Sequence, residues 1–379
     1  MSAPGLRLTR DEDEAFLAEE AARFVRENTG VERVRTLRDT KDPVGWSREL
    51  WATLAELGWT ALSLPPEAGG AGLGLFGASL LLEEAGRRLM PEPLVPTFTA
   101  LELLRQCPSS RTIDAMIRRV VAGDAIVATA LDEPGGRWSY DAPTTSATPD
   151  AVGWTLEGTK IQVREGHVAD ILLVSATTPQ GVGLFEVAWD SPGLIRDRQT
   201  RIDGRGAAVV RLDAVSVSRR ALLTGEDGAA CIDAGVDRGR ILLASEMLGG
   251  ASEAFASTLA YLKTREQFGV AIGSFQALQH RAARVFMKIE MARSAVVAAA
   301  RTADSGAPRR EVATMASLAK AVVGEAYLAA TTEGIQMHGG VGVTDEYDIG
   351  LHLKRARCAE ATWGDTTWHR RRWATLGGY

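Results

Sequence analysis

At 379 residues the chain is long enough for two or three domains and for a large core that needs neither disulfides nor metals. Its hydrophobic fraction of 45% and charged fraction of 24% exclude a disordered chain, and a formal net charge of −5 leaves no global field to attract nucleic acid. No apolar run reaches bilayer length, and the opening MSAPGLRLTRDEDEAFL lacks a basic, apolar leader, so a cytoplasmic protein with no membrane partner is expected.

From Asp11 to about Gln106 the pattern is helical, with AFLAEEAARFVREN and RELWATLAELGW placing apolar residues three and four apart. The prolines and glycines of LSLPPEAGGAGLGLFG force a loop before the next helix, SLLLEEAGRRL. Because this loop lies between helices, its glycines are not a dinucleotide fingerprint. From Ile126 to about Val217 the character changes to short β-like runs: IVATAL, WTLEGTKIQV, DILLVSAT, VGLFEVAW, AAVVRL and AVSVS. Long helical segments then return at about Gly239–Thr264, Phe275–Ser305, Arg309–His338 and Glu346–Leu376, lengths that fit an antiparallel bundle. The expected domains are an N-terminal helical domain at 1–123, a central β-barrel domain at 124–228 and a C-terminal four-helix bundle at 229–379. The overall class is mainly α with a central β domain. Cys107, Cys231 and Cys358 lie far apart and read as packing residues, with no metal site expected.

Three stretches carry a family resemblance. YLKTREQFGVAIGSFQA at Tyr261–Ala277, LWATLAELGWTALSLPPEAGGAGLG towards the N-terminus and IQMHGGVGVTDEYDIGLHLKRAR towards the C-terminus occur in the order found in the acyl-CoA dehydrogenase family, and the match covers nearly the whole chain. The resemblance implies FAD as cofactor and α,β-dehydrogenation of an acyl-CoA or acyl-carrier thioester. Arg265 offers a fork of donors suited to a diphosphate, Gln267 adds an amide, and Phe268 presents a flat face. In the family such positions hold the diphosphate and adenosine end of a flavin bound mainly by the neighbouring subunit. Gln336, Gly339 and Gly340 belong to the same half-site, with Gln276 completing it, because glycines at a helix end let backbone N–H groups approach a phosphate. The plainer readings are an exposed helix-end cation for Arg265 and a helix stop for Gly339-Gly340. His338 is open between packing and cofactor contact.

The chain departs from the family pattern on the flavin-ring side. Asp132-Glu133-Pro134-Gly135-Gly136-Arg137-Trp138 and Lys160-Ile161-Gln162-Val163-Arg164 stand where the family grips the ring. Gln162 replaces an aromatic residue, and Arg164 a small hydroxyl residue. Removal of the thioester α-proton needs a positioned carboxylate. The family's two locations for that glutamate align here with Trp363 and Gly239. The fallback candidates are Glu246, on nearly the same helix face as Gly239 but about 10 Å along the axis, and Asp365, about 200° around from Trp363. Their plain alternatives are a buried or interface carboxylate and a helix cap. Asp237 and Arg240 match the family's substrate-side pattern, or form an ion pair at a helix start.

An intact diphosphate half beside a degraded ring-and-base half implies a subunit that serves a partner's flavin. The ending LKRARCAEATWGDTTWHRR resembles the base-lacking subunits of heteromeric actinobacterial enzymes acting on steroid side-chain thioesters. The expected partner is a second acyl-CoA dehydrogenase-like subunit in a heterotetramer. A self-sufficient homo-oligomer, a non-catalytic homologue, and a flavin oxidase or monooxygenase are the alternatives.

Overall fold

The computed structural model describes residues 7–136, 138–225 and 227–379; Arg137, within the motif quoted above, lies outside the described residues. The elements are α1 (Glu12–Asn28), α2 (Val31–Asp39), α3 (Arg48–Glu56), α4 (Gly74–Arg87), α5 (Leu94–Arg105) and α6 (Arg111–Val121). Strands β1 (Val127–Ala130), β2 (Ser146–Pro149), β3 (Gly153–Arg164), β4 (Ile171–Thr178), β5 (Gly181–Ala188), β6 (Leu194–Thr200) and β7 (Gly206–Ser218) follow. The chain ends with α7 (Gly228–Thr264), β8 (Glu266–Gln267), β9 (Val270–Ala271), α8 (Gln276–Asp304), α9 (Arg309–His338), α10 (Ile349–Ala361) and α11 (Thr366–Gly377). Two compact units divide it: the described residues through Thr36 with Leu75–Met90 and Arg240–Tyr379, and Leu37–Gly74 with Pro91–Gly239.

The first unit is helical, and its packing follows from small residues and shared caps. A Cβ at Gly249 would lie 1.7 Å from the Glu83 carbonyl oxygen, and one at Gly86 2.0 Å from that of Glu246, so α4 and α7 cross with their backbones in contact. The Asp304 carboxylate at the end of α8 accepts from Leu75 N (2.7 Å) and Phe76 N (2.9 Å), closing the first turn of α4. Glu14, in the capping box of α1, is gripped by the Arg301 guanidinium of α8. The segment Arg309–Val343 is long and apolar enough to cross a membrane by composition alone, but 61% of its apolar window is buried, and α9 packs against α8, α10 and α11.

The second unit holds a seven-stranded sheet in the order β1-β4-β2-β3-β7-β6, with β5 paired to β4. Only β1 and β2 pair with β4 in parallel, while the other pairings are antiparallel. AAVVRL and AVSVS form one strand, β7, rather than two, with Ala214 left-handed at φ +52 where the register against β3 shifts. The strands β2 and β6 lack apolar alternation: SATP is exposed at three of four positions, and LIRDRQT is a polar sheet edge.

Candidate functional site

The residues expected to hold the cofactor fall on two arms. In the first, β8 and β9 form a hairpin whose two turn residues, Phe268 (φ +55) and Gly269 (φ +80), are both left-handed, the twist that suits a two-residue hairpin. Phe268 is carried at the tip, 91% exposed, with its ring edge-on to Phe275 at 6.1 Å. Gln276 begins α8 immediately afterwards, and Arg265, Gln267 and Gln276 are all exposed. The second arm is the end of α9. Gln336 is exposed, and Gly339 terminates the helix at φ +65, ψ −141, donating its N–H to the Gln336 carbonyl. A Cβ added to Gly339 or Gly340 would meet no atom within 4 Å, so both glycines present bare backbone to open space. One guanidinium fork, three amide side chains and two uncovered glycine backbones are a donor set that fits a diphosphate and its attached nucleoside. His338, left open by the sequence, is buried at 5% exposure and donates from Nδ1 to the Gly334 carbonyl at 2.7 Å.

The two positions expected to align with the family's base are built differently. Gly239 is buried, and a Cβ there would stand 2.5 Å from Thr99 Cγ2, so helix packing occupies the place of a longer side chain. Trp363 is 4% exposed and left-handed at φ +56, in a turn that splits the expected Glu346–Leu376 helix into α10 and α11. Two buried cations hold this turn. Arg240 Nε donates to the Trp363 carbonyl at 2.9 Å, and Lys320 Nζ donates to the carbonyls of Ala359 (2.9 Å), Glu360 (3.0 Å) and Gly364 (3.4 Å). Gly364 at φ +116 completes the break.

Neither fallback carboxylate is idle. Asp365 caps α11, its Oδ1 accepting from Trp368 N at 2.7 Å. Glu246 is buried and paired with Arg355 Nη2 at 2.8 Å. Of the residues expected on the substrate side, Asp237 is 3% exposed and Arg240 is 0% exposed, with its guanidinium 4.8 Å from the Trp368 ring centre.

In the expected ring-gripping segments the structure reveals anchors that the sequence pattern concealed. Glu133 accepts from Lys160 Nζ (2.6 Å), Thr144 N (2.5 Å), Thr144 Oγ1 (2.6 Å) and Thr145 N (2.9 Å). Desolvation pushes its pKa up, but the Lys160 ammonium and the threonine donors outweigh it and hold the carboxyl down at about 2. Gln162 is exposed at φ +53, where β3 slips register against β7, and Arg164 is buried. Glu165, at φ +58, is buried with Trp46 Nε1 donating to it at 3.1 Å. No sequence periodicity marks such contacts, because the partners lie from 11 residues (Thr144) to 119 residues (Trp46) away.

The fold is that of a flavoprotein oxidoreductase built as helices, curled sheet and helical bundle. The acyl-CoA dehydrogenase N-terminal domain model matches residues 11–124 and its C-terminal domain model residues 226–375, and the chain belongs to the acyl-CoA dehydrogenase family. FAD is the cofactor of that family. Acyl-CoA dehydrogenase IpdE2 of Mycobacterium tuberculosis is 33% identical over 352 residues, 92% of each chain. Among solved structures, a variant of the Tcur3481-Tcur3483 steroid ACAD is 34% identical with a TM-score of 0.87, covering 97% of this chain and 98% of that one. The ChsE4-ChsE5 complex from Mycobacterium tuberculosis is 25% identical with a TM-score of 0.89, covering 98% and 99%.

Proposed function

We propose that the chain is one of two unlike subunits of a heteromeric acyl-CoA dehydrogenase, to which it supplies the diphosphate and adenosine half of an FAD site. Arg265, Gln267, Phe268, Gln276, Gln336, Gly339 and Gly340 hold the dinucleotide, and the partner holds the ring and carries the base. FAD supplies the hydride acceptor when bound. This chain binds and orients the dinucleotide end, and Arg240 and Lys320 hold the Trp363 turn. The substrate class is an acyl-CoA thioester, with steroid side-chain thioesters favoured because the relatives at 34% and 25% identity are a steroid enzyme and a two-protein complex by name.

One observation carries the reading: both positions that align with the family's base are packed shut, Gly239 against Thr99 and Trp363 in its cation-held turn, whereas the dinucleotide arms stand exposed. The test is flavin stoichiometry and acyl-CoA turnover of the purified chain, alone and co-expressed with a base-bearing family member. The expected result is flavin retention and turnover only in the co-expressed complex. Normal turnover by the chain alone would overturn the heteromer and return Asp365 and Glu246 as candidate bases.

A further inference from the structure

The two arms of the half-site spring from different helices, Arg265–Val270 following α7 and Gln336–Gly340 ending α9. Separate arms hold one ligand well only if the gap between them is set before the ligand arrives. Two contacts set it here. A Cβ at Gly334 would lie 2.7 Å from Ile349 Cδ1 and 2.8 Å from Thr258 Oγ1, so α7 and α9 run close together there. About one helical turn further on, the Tyr261 ring stacks on His338 with centroids 4.4 Å apart and planes at 24°. Tyr347 closes the cluster edge-on, 5.8 Å from Tyr261 and 5.2 Å from His338.

Each ring is tied to the backbone of an arm or its support. The Tyr261 carbonyl accepts from Arg265 N at 2.9 Å, and the Tyr261 hydroxyl donates to the His338 carbonyl at 3.3 Å, directly before Gly339. His338 Nδ1 faces a carbonyl, which only accepts, so this nitrogen carries the proton. The segment bearing Tyr347 is held on both sides by Arg35, which donates to the Asp345 carbonyl at 3.0 Å and pairs with Asp348 at 2.7 Å. An aromatic cluster is suited to this task, because a carboxylate in the same place would compete with a phosphate for Arg265.

We propose that Tyr261, His338 and Tyr347 are positioning residues whose ring cluster fixes the separation of the Arg265 arm and the Gly339-Gly340 arm for a dinucleotide diphosphate. This rests on the half-site reading above. The test is a double-mutant cycle on the assembled full-length protein, with FAD and ADP as calorimetric probes. Tyr261→Leu weakens both probes about five- to tenfold. Tyr261→Phe keeps the stack, loses one long hydrogen bond and stays within about twofold. Since the ring acts by placing Arg265, Tyr261→Leu loses most of its effect in an Arg265→Ala background. Should Tyr261→Leu not fold, the same cycle with Tyr347→Leu decides. A lower Tm with unchanged affinity, or full additivity with Arg265→Ala, overturns the positioning role while the half-site stands. If Arg265→Ala changes neither probe, the half-site reading falls and this proposal with it.

Discussion

Glu165 offers a test of the sheet-bearing unit that is independent of cofactor and partner. It follows β3 in a left-handed conformation, 4% exposed, and accepts a hydrogen bond from the Trp46 indole. Desolvation is the dominant influence on its carboxyl and raises its pKa; Arg205, the Trp46 donor, Arg164 and Arg201 oppose it without cancelling it, leaving a value of about 7 against an ordinary 4.5. An acid whose folded pKa stands above its unfolded one binds more protons when folded. The stability it contributes is therefore complete below 4.5 and is lost as pH rises through about 7. At about 1.4 kcal/mol for each tenfold in proton affinity, the loss across that window is about 3 kcal/mol. Glu165→Gln keeps the shape and an oxygen for Trp46 but cannot ionise. In denaturant unfolding, the stability of the variant relative to the unsubstituted chain should rise steadily from about pH 4 and level off near pH 8, about 3 kcal/mol higher. Parallel pH curves for the two proteins would refute the burial argument.

Three further outcomes are expected. Arg265→Ala should weaken FAD binding by the assembled protein roughly tenfold or more, the effect of losing charge-assisted bonds of about 1.5–3 kcal/mol, and should leave the Tm of the flavin-free protein unchanged because the side chain is exposed; flavin titration with a thermal scan of the flavin-free protein checks both. Trp363→Glu should not restore acyl-CoA turnover to the isolated chain, measured by acceptor reduction, and should cost about 3 kcal/mol or more of stability because a buried indole is lost. Lys160→Met leaves the Glu133 carboxylate buried without its ammonium and should destabilise the chain by about 3–5 kcal/mol. Since the folded pKa of Glu133 is depressed to about 2 from 4.5, its contribution in the unsubstituted chain is present above 4.5 and fades as pH falls through 2, which acid unfolding would read.

The long bundle helices were legible because apolar residues recur at three- and four-residue spacing over many turns, and the residues of the proposed half-site were singled out by their types at helix ends. The break between α10 and α11 was legible only as a glycine at Gly364; what makes it a stop is Lys320, about forty residues earlier, taking the carbonyls of the last turn of α10. The helix α7 begins at Gly228, eleven residues before the expected start, because its first turns pack as small residues: a Cβ at Gly235 would lie 2.5 Å from Leu103 Cα. The strand β6 escaped because an edge strand needs no apolar face. The fixing contacts of Glu133 and Glu165 are long-range and polar, and periodicity carries no trace of them.

The two halves of the proposed site differ physically in this chain. At the proposed dinucleotide arms a Cβ at Gly339 or Gly340 would meet no described atom within 4 Å, and Phe268 stands 91% exposed in a left-handed turn. At Gly239 and Trp363, the positions expected to align with the family's base, the chain's own packing takes the space. A side chain at Gly239 would displace Thr99, whose hydroxyl already donates to the Val95 carbonyl at 2.7 Å, and a different residue at Trp363 would still sit in a turn fixed by four backbone carbonyls bound to Arg240 and Lys320. Placing a base at either position therefore requires rebuilding a helix contact or a cation-held turn, not a single exchange of side chain. The close packing at Gly239 and the cation-held turn at Trp363 are what the proposed function requires of a subunit that leaves proton abstraction to its partner and keeps its exposed arms for a shared cofactor.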